Sequence, residues 1–215
     1  MINGGKAEEL LALKLQLLIQ RSHTILDIGT SQRFAKELKK YETLFEGKNY
    51  IAAGYHPENI YGVYNCDIHA DIEAIPYDNE SMDAIICLEV LEHVKNPFQA
   101  AKEIKRVLKK DGTLLLTVPF LTSYHGGNRK LQNGFTHKHK GFSDFWRFTH
   151  EGLYLMFHGL SYFEIHPIDG RIELMLKNLG LDRFIHIPFF RTLIDKIDTP
   201  RLSHSTSRHL IYATK

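Results

Sequence analysis

The stretch CLEVLEHV (Cys87–Val94) sets two carboxylates, Glu89 and Glu92, and one imidazole, His93, within five residues. Carboxylate oxygens and an imidazole nitrogen are donors that a divalent or transition-metal cation accepts. The same groups also hold turns together by ordinary hydrogen bonds. A second chemically capable set lies in HKGFSDFWRFTHEGL, residues 139–153, with His139, Asp144 and Arg147. Histidine can take a proton near neutral pH, and a carboxylate can orient it. A guanidinium can grip a planar anion with two parallel hydrogen bonds. The spacing permits a plainer outcome too, because Asp144 and Arg147, three residues apart, can pair and pin their own segment. His125 and His137 are rivals to His139 in the same region.

These groups need a frame, and the first 120 residues supply one. ILDIGTSQRFAKEL (Ile25–Leu38) reads as a strand entering a helix through a tight turn at Gly29, where nucleotide-like cofactors usually sit. The turn has one glycine where such turns carry two or three, and Ser31 and Arg33 narrow it. Ser31 is expected to open a helix whose apolar face is Phe34, Leu38 and Tyr41. Tyr50–Ala53 and Tyr61–Tyr64 are weaker strand candidates. MDAIICL (Met82–Leu88) and TLLLTVPF (Thr113–Phe120) are continuous apolar runs, as strands buried on both faces should be. Between them, Asn96 and Pro97 start a helix, and Lys109, Lys110 and Asp111-Gly112 are expected to end it.

Residues 121–140 break into Gly, Asn, Lys and His, which predicts a loop or lid. A helix at 150–157, a strand at 162–166, a helix at 171–179 and a terminal strand at 208–215 follow. Strands alternating with helices predict an α/β fold with an open, mostly parallel sheet and ligands at the carboxyl ends of its strands.

Composition agrees with a globular chain: 215 residues, 43% hydrophobic and 24% charged. The two cysteines, Cys66 and Cys87, suggest no disulfide framework and fit a reducing, cytoplasmic setting. The Leu-rich stretch Leu10–Ile19 is broken by Lys14 and Gln16, which predicts an amphipathic helix rather than a signal peptide or membrane span. Residues 1–120 carry 14 Lys and Arg against 17 Asp and Glu, net −3. Residues 121–215 carry 13 against 8, net +5, with nine of the 13 histidines. A basic second part suits an anionic partner or is simply a solvated face.

The ordered series ILDIG, DIEAIPYDNESMDAIICLEVLEHV, NPFQAAKEIKRVLKKDGTLLLTVPF and terminal HLIYATK resembles the class I S-adenosylmethionine (SAM) dependent methyltransferases, of the type 11 kind. The resemblance implies a Rossmann-like, doubly wound, mostly parallel seven-stranded sheet with helices on both faces. It implies one domain over 1–215: an N-terminal helix (1–22), a SAM-binding core (23–120), a loop or lid (121–149) and a C-terminal substrate side (150–215). HKGFSDFWRFTHEGL is similar to a stretch in methyltransferases associated with polysaccharide and glycan biosynthesis, with His139, Asp144, Arg147 and Thr149 matching and Phe142 in place of a proline.

On this resemblance the cofactor is SAM. Asp27 and Gly29 would face its methionine end, Asp71 and Ile72 its adenine, and Glu89 the cleft beside the methyl donor. The acid expected for the ribose is missing, since Gly54 closes the second strand; Asp67 is the candidate substitute. His139 would be the general base, Asp144 its orienting partner and Arg147 the holder of an anionic group. Trp146, with Phe145 and Phe148, could stack on a sugar or pack the lid on the core. The acceptor would be a sugar, nucleotide-sugar or glycan or lipid-linked intermediate, methylated on oxygen. Glu-x-x-Glu-His is similar to a divalent-metal set in small-RNA 2′-O-methyltransferases and ubiquinone-pathway O-methyltransferases, yet Leu-Glu-His also occurs in metal-free relatives, and no metal is expected.

A catalytically degenerate binding or scaffold protein is the first alternative and a metal-dependent RNA 2′-O-methyltransferase the second. No DNA partner is expected, and with no RNA-binding appendage and a modest basic excess an RNA partner is disfavoured. FIHIPFFRTLI (residues 184–194), with Arg183 and Arg191, is either a peripheral membrane or lipid-carrier contact or a helix packed on the sheet. A nicotinamide enzyme is disfavoured by the absent Gly-x-Gly-x-x-Gly turn.

Overall fold

Apolar residues at every position of a strand, rather than every second one, require cover on both sheet faces. The computed structural model shows that arrangement, and describes residues 6–34, 36–55, 65–126, 130–131, 134–135, 143–181, 184, 187–198 and 206–215. In chain order the elements begin with helix α1 (Lys6–Arg21) and strand β1 (Thr24–Ile28), followed by a 3-10 segment (Lys36–Phe45). Strands β2 (Asn49–Gly54), β3 (Ile68–His69) and β4 (Met82–Leu88) come next, then a 3-10 turn (Leu91–His93). Helix α2 (Pro97–Val107) and strand β5 (Leu108–Pro119) precede a short antiparallel pair, β6 (Lys130–Leu131) and β7 (Gly134–Phe135). The chain continues with α3 (His150–Phe157), β8 (Tyr162–Ile168), α4 (Arg171–Asn178), α5 (Pro188–Ile197) and β9 (Arg208–Thr214).

Seven strands form one sheet in the order β3-β2-β1-β4-β5-β9-β8. The sheet is mixed: β9 runs antiparallel to both its neighbours, and the other pairings are parallel. Alternate residues divide the core in two. Leu26, Ile28, Ile85, Cys87, Leu114 and Leu116 pack with Ala101 and Ile104 of α2 and Leu153 and Phe157 of α3. Ile25, Ala84, Ile86 and Leu115 pack instead with Leu11, Leu15 and Leu18 of α1 and with Leu38 and Phe45. Helices therefore cover both faces, and the strand order reverses between β1 and β4. At such a switch point neighbouring loops diverge and leave a crevice.

Two local expectations are corrected, and a third lies outside the described residues. No helix opens at Ser31, because Gln32 bridges Asn65 and the Arg33 amide donates to the Asn65 carbonyl (3.0 Å). Phe34 then takes a left-handed φ of 53°, and the 3-10 segment starts only at Lys36. Helix α2 stops at Val107 rather than at Lys110. Leu108 is extended and pairs with Met82, while the next pairing is Ala84 with Thr113, so residues 109–112 bulge opposite the single residue Asp83. Asp83 fills that bulge by accepting from Lys109 Nζ (2.6 Å) and from the His23 and Thr24 amides (2.9 and 2.8 Å). The strand beside β2 is Ile68–His69; Tyr61–Tyr64 lies outside the described residues. Asn96 caps α2 by accepting from the Gln99 amide (3.1 Å), with Pro97 in the first turn.

The stretch 184–194 contributes to α5, which buries Ile194 and exposes Phe189, Phe190, Leu193 and Ile197. Among the described residues no helix is long and apolar enough to cross a membrane.

Candidate functional site

The site lies at the carboxyl ends of β1, β4 and β5. After β1 the chain turns at Gly29, whose φ is 84°, and the Gly29 and Thr30 amides both donate to the Ala53 carbonyl (2.8 and 3.2 Å). A Cβ on Gly29 would stand 2.4 Å from Val90 Cγ2, so only glycine fits both the backbone and the packing. At the end of β4, Glu89 also has positive φ (54°), and its amide donates to the carbonyl and hydroxyl oxygens of Thr117 on β5 (3.1 and 3.2 Å). Arg208 of β9 approaches Glu89 Oε1 to 4.0 Å.

The residues expected to hold a cofactor divide into two groups. On the β1–β2 side they are engaged by the protein itself. Asp27 is buried and accepts a short hydrogen bond from the Tyr50 hydroxyl; burial and that carboxylate raise the Tyr50 pKa. Asp67 takes an ion pair from Arg33 (2.5 Å) and a hydrogen bond from the Ala52 amide (2.8 Å). The Arg33 guanidinium also lies over the Tyr50 ring, 5.0 Å from its centroid. Gly54 is glycine for a packing reason: a Cβ there would meet Cys66 Sγ and the Thr30 carbonyl, each at 2.8 Å. On the β3–β4 side, Asp71 caps its own turn through the Glu73 amide (2.8 Å), and Ile72 is buried beside Ile75. SAM needs close backbone approach at its methionine end and acceptors for its hydroxyl and amino hydrogens. The Gly29 turn, Glu89 and the Asp71–Ile72 turn fit those needs; the end of β2 supplies no carboxylate of its own.

The downstream set assembles as a frame. Arg147 makes a two-pronged pair with Asp144, with Nη2 donating to Oδ2 at 2.7 Å. It also donates to the carbonyls of Thr122 (3.1 Å), Ser123 (2.9 Å) and Trp146 (2.7 Å). Asp144 in turn accepts from the His125 amide (2.8 Å). Thr149 caps α3 by accepting from the Gly152 amide (3.1 Å). The Phe145 and Trp146 amides donate to the Glu92 carbonyl (2.7 and 3.3 Å), and Trp146 Nε1 donates to the Val94 carbonyl (2.9 Å). The Trp146 indole N–H is thus spent on the β4–α2 turn, although the ring stays exposed. His139 and His137 lie outside the described residues.

What the frame presents is a cluster that neither stretch announces alone. Glu92 is fully buried, and His93 Nε2 and His125 Nε2 each approach its Oε1 to 3.5 Å. His93 Nδ1 is bonded to the Ser143 carbonyl (2.6 Å). Burial lowers the His93 pKa although Glu92 opposes it; Glu92 raises that of His125 although burial opposes it. The only sequence hint of this meeting is that His125 follows the end of β5 by six residues, on the edge where ligands bind.

Residues 21–116, β1 through most of β5, match the family described as "Methyltransferase domain". The match covers less than half of the 215 residues, and within it the chain is similar to a methyltransferase domain. Over 118 residues it is 28% identical to an uncharacterized protein of Methanocaldococcus jannaschii, covering 52% of this chain and 50% of that one. Over 40 residues it is 48% identical to the ubiquinone biosynthesis O-methyltransferase of Glaesserella parasuis, covering 19% of this chain and 17% of that one. The matches thus span half or less of these curated relatives. The fold is shared with a SAM-dependent methyltransferase of Archaeoglobus fulgidus at a TM-score of 0.54, 17% identity, and coverage of 97% and 94%.

Proposed function

We propose that this chain transfers the SAM methyl group to an oxygen of a sugar, nucleotide-sugar or glycan or lipid-linked acceptor. The observation that carries methyl transfer is the left-handed Gly29 turn beside Glu89 at the β1/β4 switch point, within the stretch that matches a methyltransferase domain. Asp27 and Gly29 would border the methionine portion, Asp71 and Ile72 the adenine, and Glu89 the methyl group. In-line displacement from a sulfonium depends on holding the two partners in attack geometry, a contribution of about 7–11 kcal/mol. The oxygen acceptor is supported by the partial identity to an O-methyltransferase and by titratable groups above β4 and β5 that can accept a hydroxyl proton. His139 remains the proposed base. Arg147 and Asp144 support the acceptor side as its frame, since their donors and acceptors are already paired with the protein.

One observation favours a second reading, a fold that no longer turns over. Cys66 and Thr30 fill the space at Gly54 where an acid would reach the ribose, and Arg33 holds Asp67. Calorimetric titration of the folded chain with SAM and S-adenosylhomocysteine, followed by radiolabelled methyl transfer to nucleotide sugars, separates the two. Binding with transfer is the expected result. Folded protein with no binding rejects the enzyme, and binding with His139→Ala at full activity rejects that base.

A further inference from the structure

Among the described side chains of α5, only Ile194 is buried, in a cavity it lines with Ala7 and Leu10 of α1 and Ile168 of β8. Asp198, just past the helix, is buried too and accepts from the Ile172 and Glu173 amides at the start of α4 (2.8 and 3.1 Å). Beside this anchored edge run Phe189, Phe190, Leu193 and Ile197, at the three- and four-residue spacings that set side chains in one row. All four lie open; Phe189 is 73% exposed and Ile197 61%. The Phe189 and Phe190 rings meet edge to face, 5.6 Å between centroids, and Phe184 extends the row at 5.8 Å from Phe190. An amphipathic helix ordinarily turns such a stripe inward, and an exposed row of large apolar side chains marks an interaction surface.

We infer that α5 is an interfacial helix that docks this protein on an anionic lipid bilayer. Its 10 residues are too few to span a membrane, but lying in the interface plane needs only an apolar stripe on one side and polar groups on the other. The helix satisfies most of its own backbone hydrogen bonds there. The row offers hydrocarbon and no hydrogen-bonding group, so it has little with which to select a protein partner, whereas acyl chains require nothing more. Charge supplies the preference for anionic lipid. Residues 171–201 carry six Lys and Arg against four Asp and Glu, net +2. Two of those acids, Glu173 and Asp198, are buried, while Lys196 in the last turn of α5 is exposed. Position ties the surface to the candidate site. Strands β8 and β5 run the same way, because each pairs antiparallel with β9, so α4 and α5 follow β8 from the sheet edge where Gly29 and Glu89 stand. Arg208 links the two places: Nε donates to Asp169, just past β8 (3.1 Å), and Nη1 approaches Glu89 Oε1 to 4.0 Å. The inference rests on this surface and not on methyl transfer. Joined to the function proposed above, and resting on it for this step alone, it selects the lipid-linked acceptor, delivered to that edge from the bilayer.

The test is sedimentation of the full chain with vesicles of phosphatidylcholine alone and of phosphatidylcholine mixed equally with phosphatidylglycerol. Wild type should partition onto the anionic vesicles at least about tenfold more strongly than onto the neutral ones, and added salt should weaken that preference. Phe189→Ala and Ile197→Ala should each lower partitioning at least about fivefold, because each removes apolar area that the bilayer would cover. Lys196→Glu should do the same on the anionic vesicles only. The substituted side chains are exposed, so these variants keep the fold, which circular dichroism checks. Wild type that stays in solution, binding that ignores lipid charge, or alanine variants that bind as wild type does each overturn the inference. So does a row closed by a second copy, seen in analytical ultracentrifugation as a dimer that Phe189→Ala dissociates and that vesicles do not take up. SAM titration on the same samples keeps the questions apart: SAM binding without vesicle binding rejects only this surface, and vesicle binding without SAM binding rejects only the methyltransferase reading.

Discussion

Val90 packs directly against the backbone of Gly29, leaving 2.4 Å between its Cγ2 and the point where a side chain would begin. The contact locks the β4 exit onto the β1 turn. Gly29→Ala should cost about 1–2 kcal/mol for the left-handed backbone and about 1–3 kcal/mol for overlap with Val90. Adding Val90→Ala should remove the overlap but not the backbone cost. A double-mutant cycle by chemical denaturation measures the difference, and strictly additive losses would show that Val90 is not the obstacle.

Asp67 and Asp71 flank β3 but are engaged differently by the protein, and their substitutions should behave differently. Asp67 is tied to Arg33 and the Ala52 amide, and the ion pair is more than one-third exposed on both sides. Such pairs contribute about 0–1 kcal/mol, so Asp67→Asn should change stability by no more than about 1 kcal/mol and SAM affinity by no more than about fivefold. Asp71→Asn keeps an acceptor for the Glu73 amide but loses the charge that the proposed function places beside the adenine. It should weaken SAM binding by about 10–100-fold, the worth of one hydrogen bond to a charged group. Titration calorimetry decides, and a large loss at Asp67 would make it the ribose acid after all.

Arg147 should tolerate no conservative exchange. Its planar fork meets Asp144 with two bonds while reaching the Thr122, Ser123 and Trp146 carbonyls, a pattern a lysine ammonium cannot reproduce. Arg147→Lys should cost about 1–3 kcal/mol and speed amide hydrogen exchange over residues 122–125, with α3 unchanged because Thr149 caps it independently. Unaltered exchange in that loop would remove Arg147 as its anchor.

The parts of this fold that could be read from residues were those governed by local rules. Met82–Leu88 and Thr113–Phe120 announced themselves as buried strands because every position is apolar, and Asn96-Pro97 marked α2 because capping is a short-range hydrogen-bond preference. Distant partners decided what could not be read. Asn65 draws Gln32 and Arg33 away from helix, and Met82 captures Leu108 before the expected end of α2. The site divides in the same way. Glu92 and His93 are neighbours in sequence, but His125 meets them with its amide held on Asp144, which Arg147 clamps, and no spacing rule links residues 92, 125 and 144. Likewise, glycine at 54 looks like a missing acid until Cys66 is seen filling its place.

His209 gives the protein an acid-sensitive core. It lies fully buried in β9, paired with Val118 and Pro167, stacked 5.2 Å from the Phe120 ring, and among the described residues neither ring nitrogen has a hydrogen-bond partner. Burial lowers its pKa to about 4, and the charge of nearby His150 pushes the same way. The sign follows from proton counting. Below about pH 6.5 the unfolded chain binds a proton that the folded chain refuses until about pH 4. The His209 contribution to stability is therefore complete above about pH 6.5, declines as pH falls, and levels off below about pH 4. Its size is of order 3 kcal/mol, at about 1.4 kcal/mol per pKa unit. Replacing His209 with Leu removes this proton-linked loss while leaving that of the carboxylates. The stability difference between His209→Leu and wild type, from denaturation midpoints between about pH 7.5 and about pH 4.5, should shift toward the variant as pH falls. A difference independent of pH over that range would mean that His209 stays protonated, or finds a partner, inside the fold.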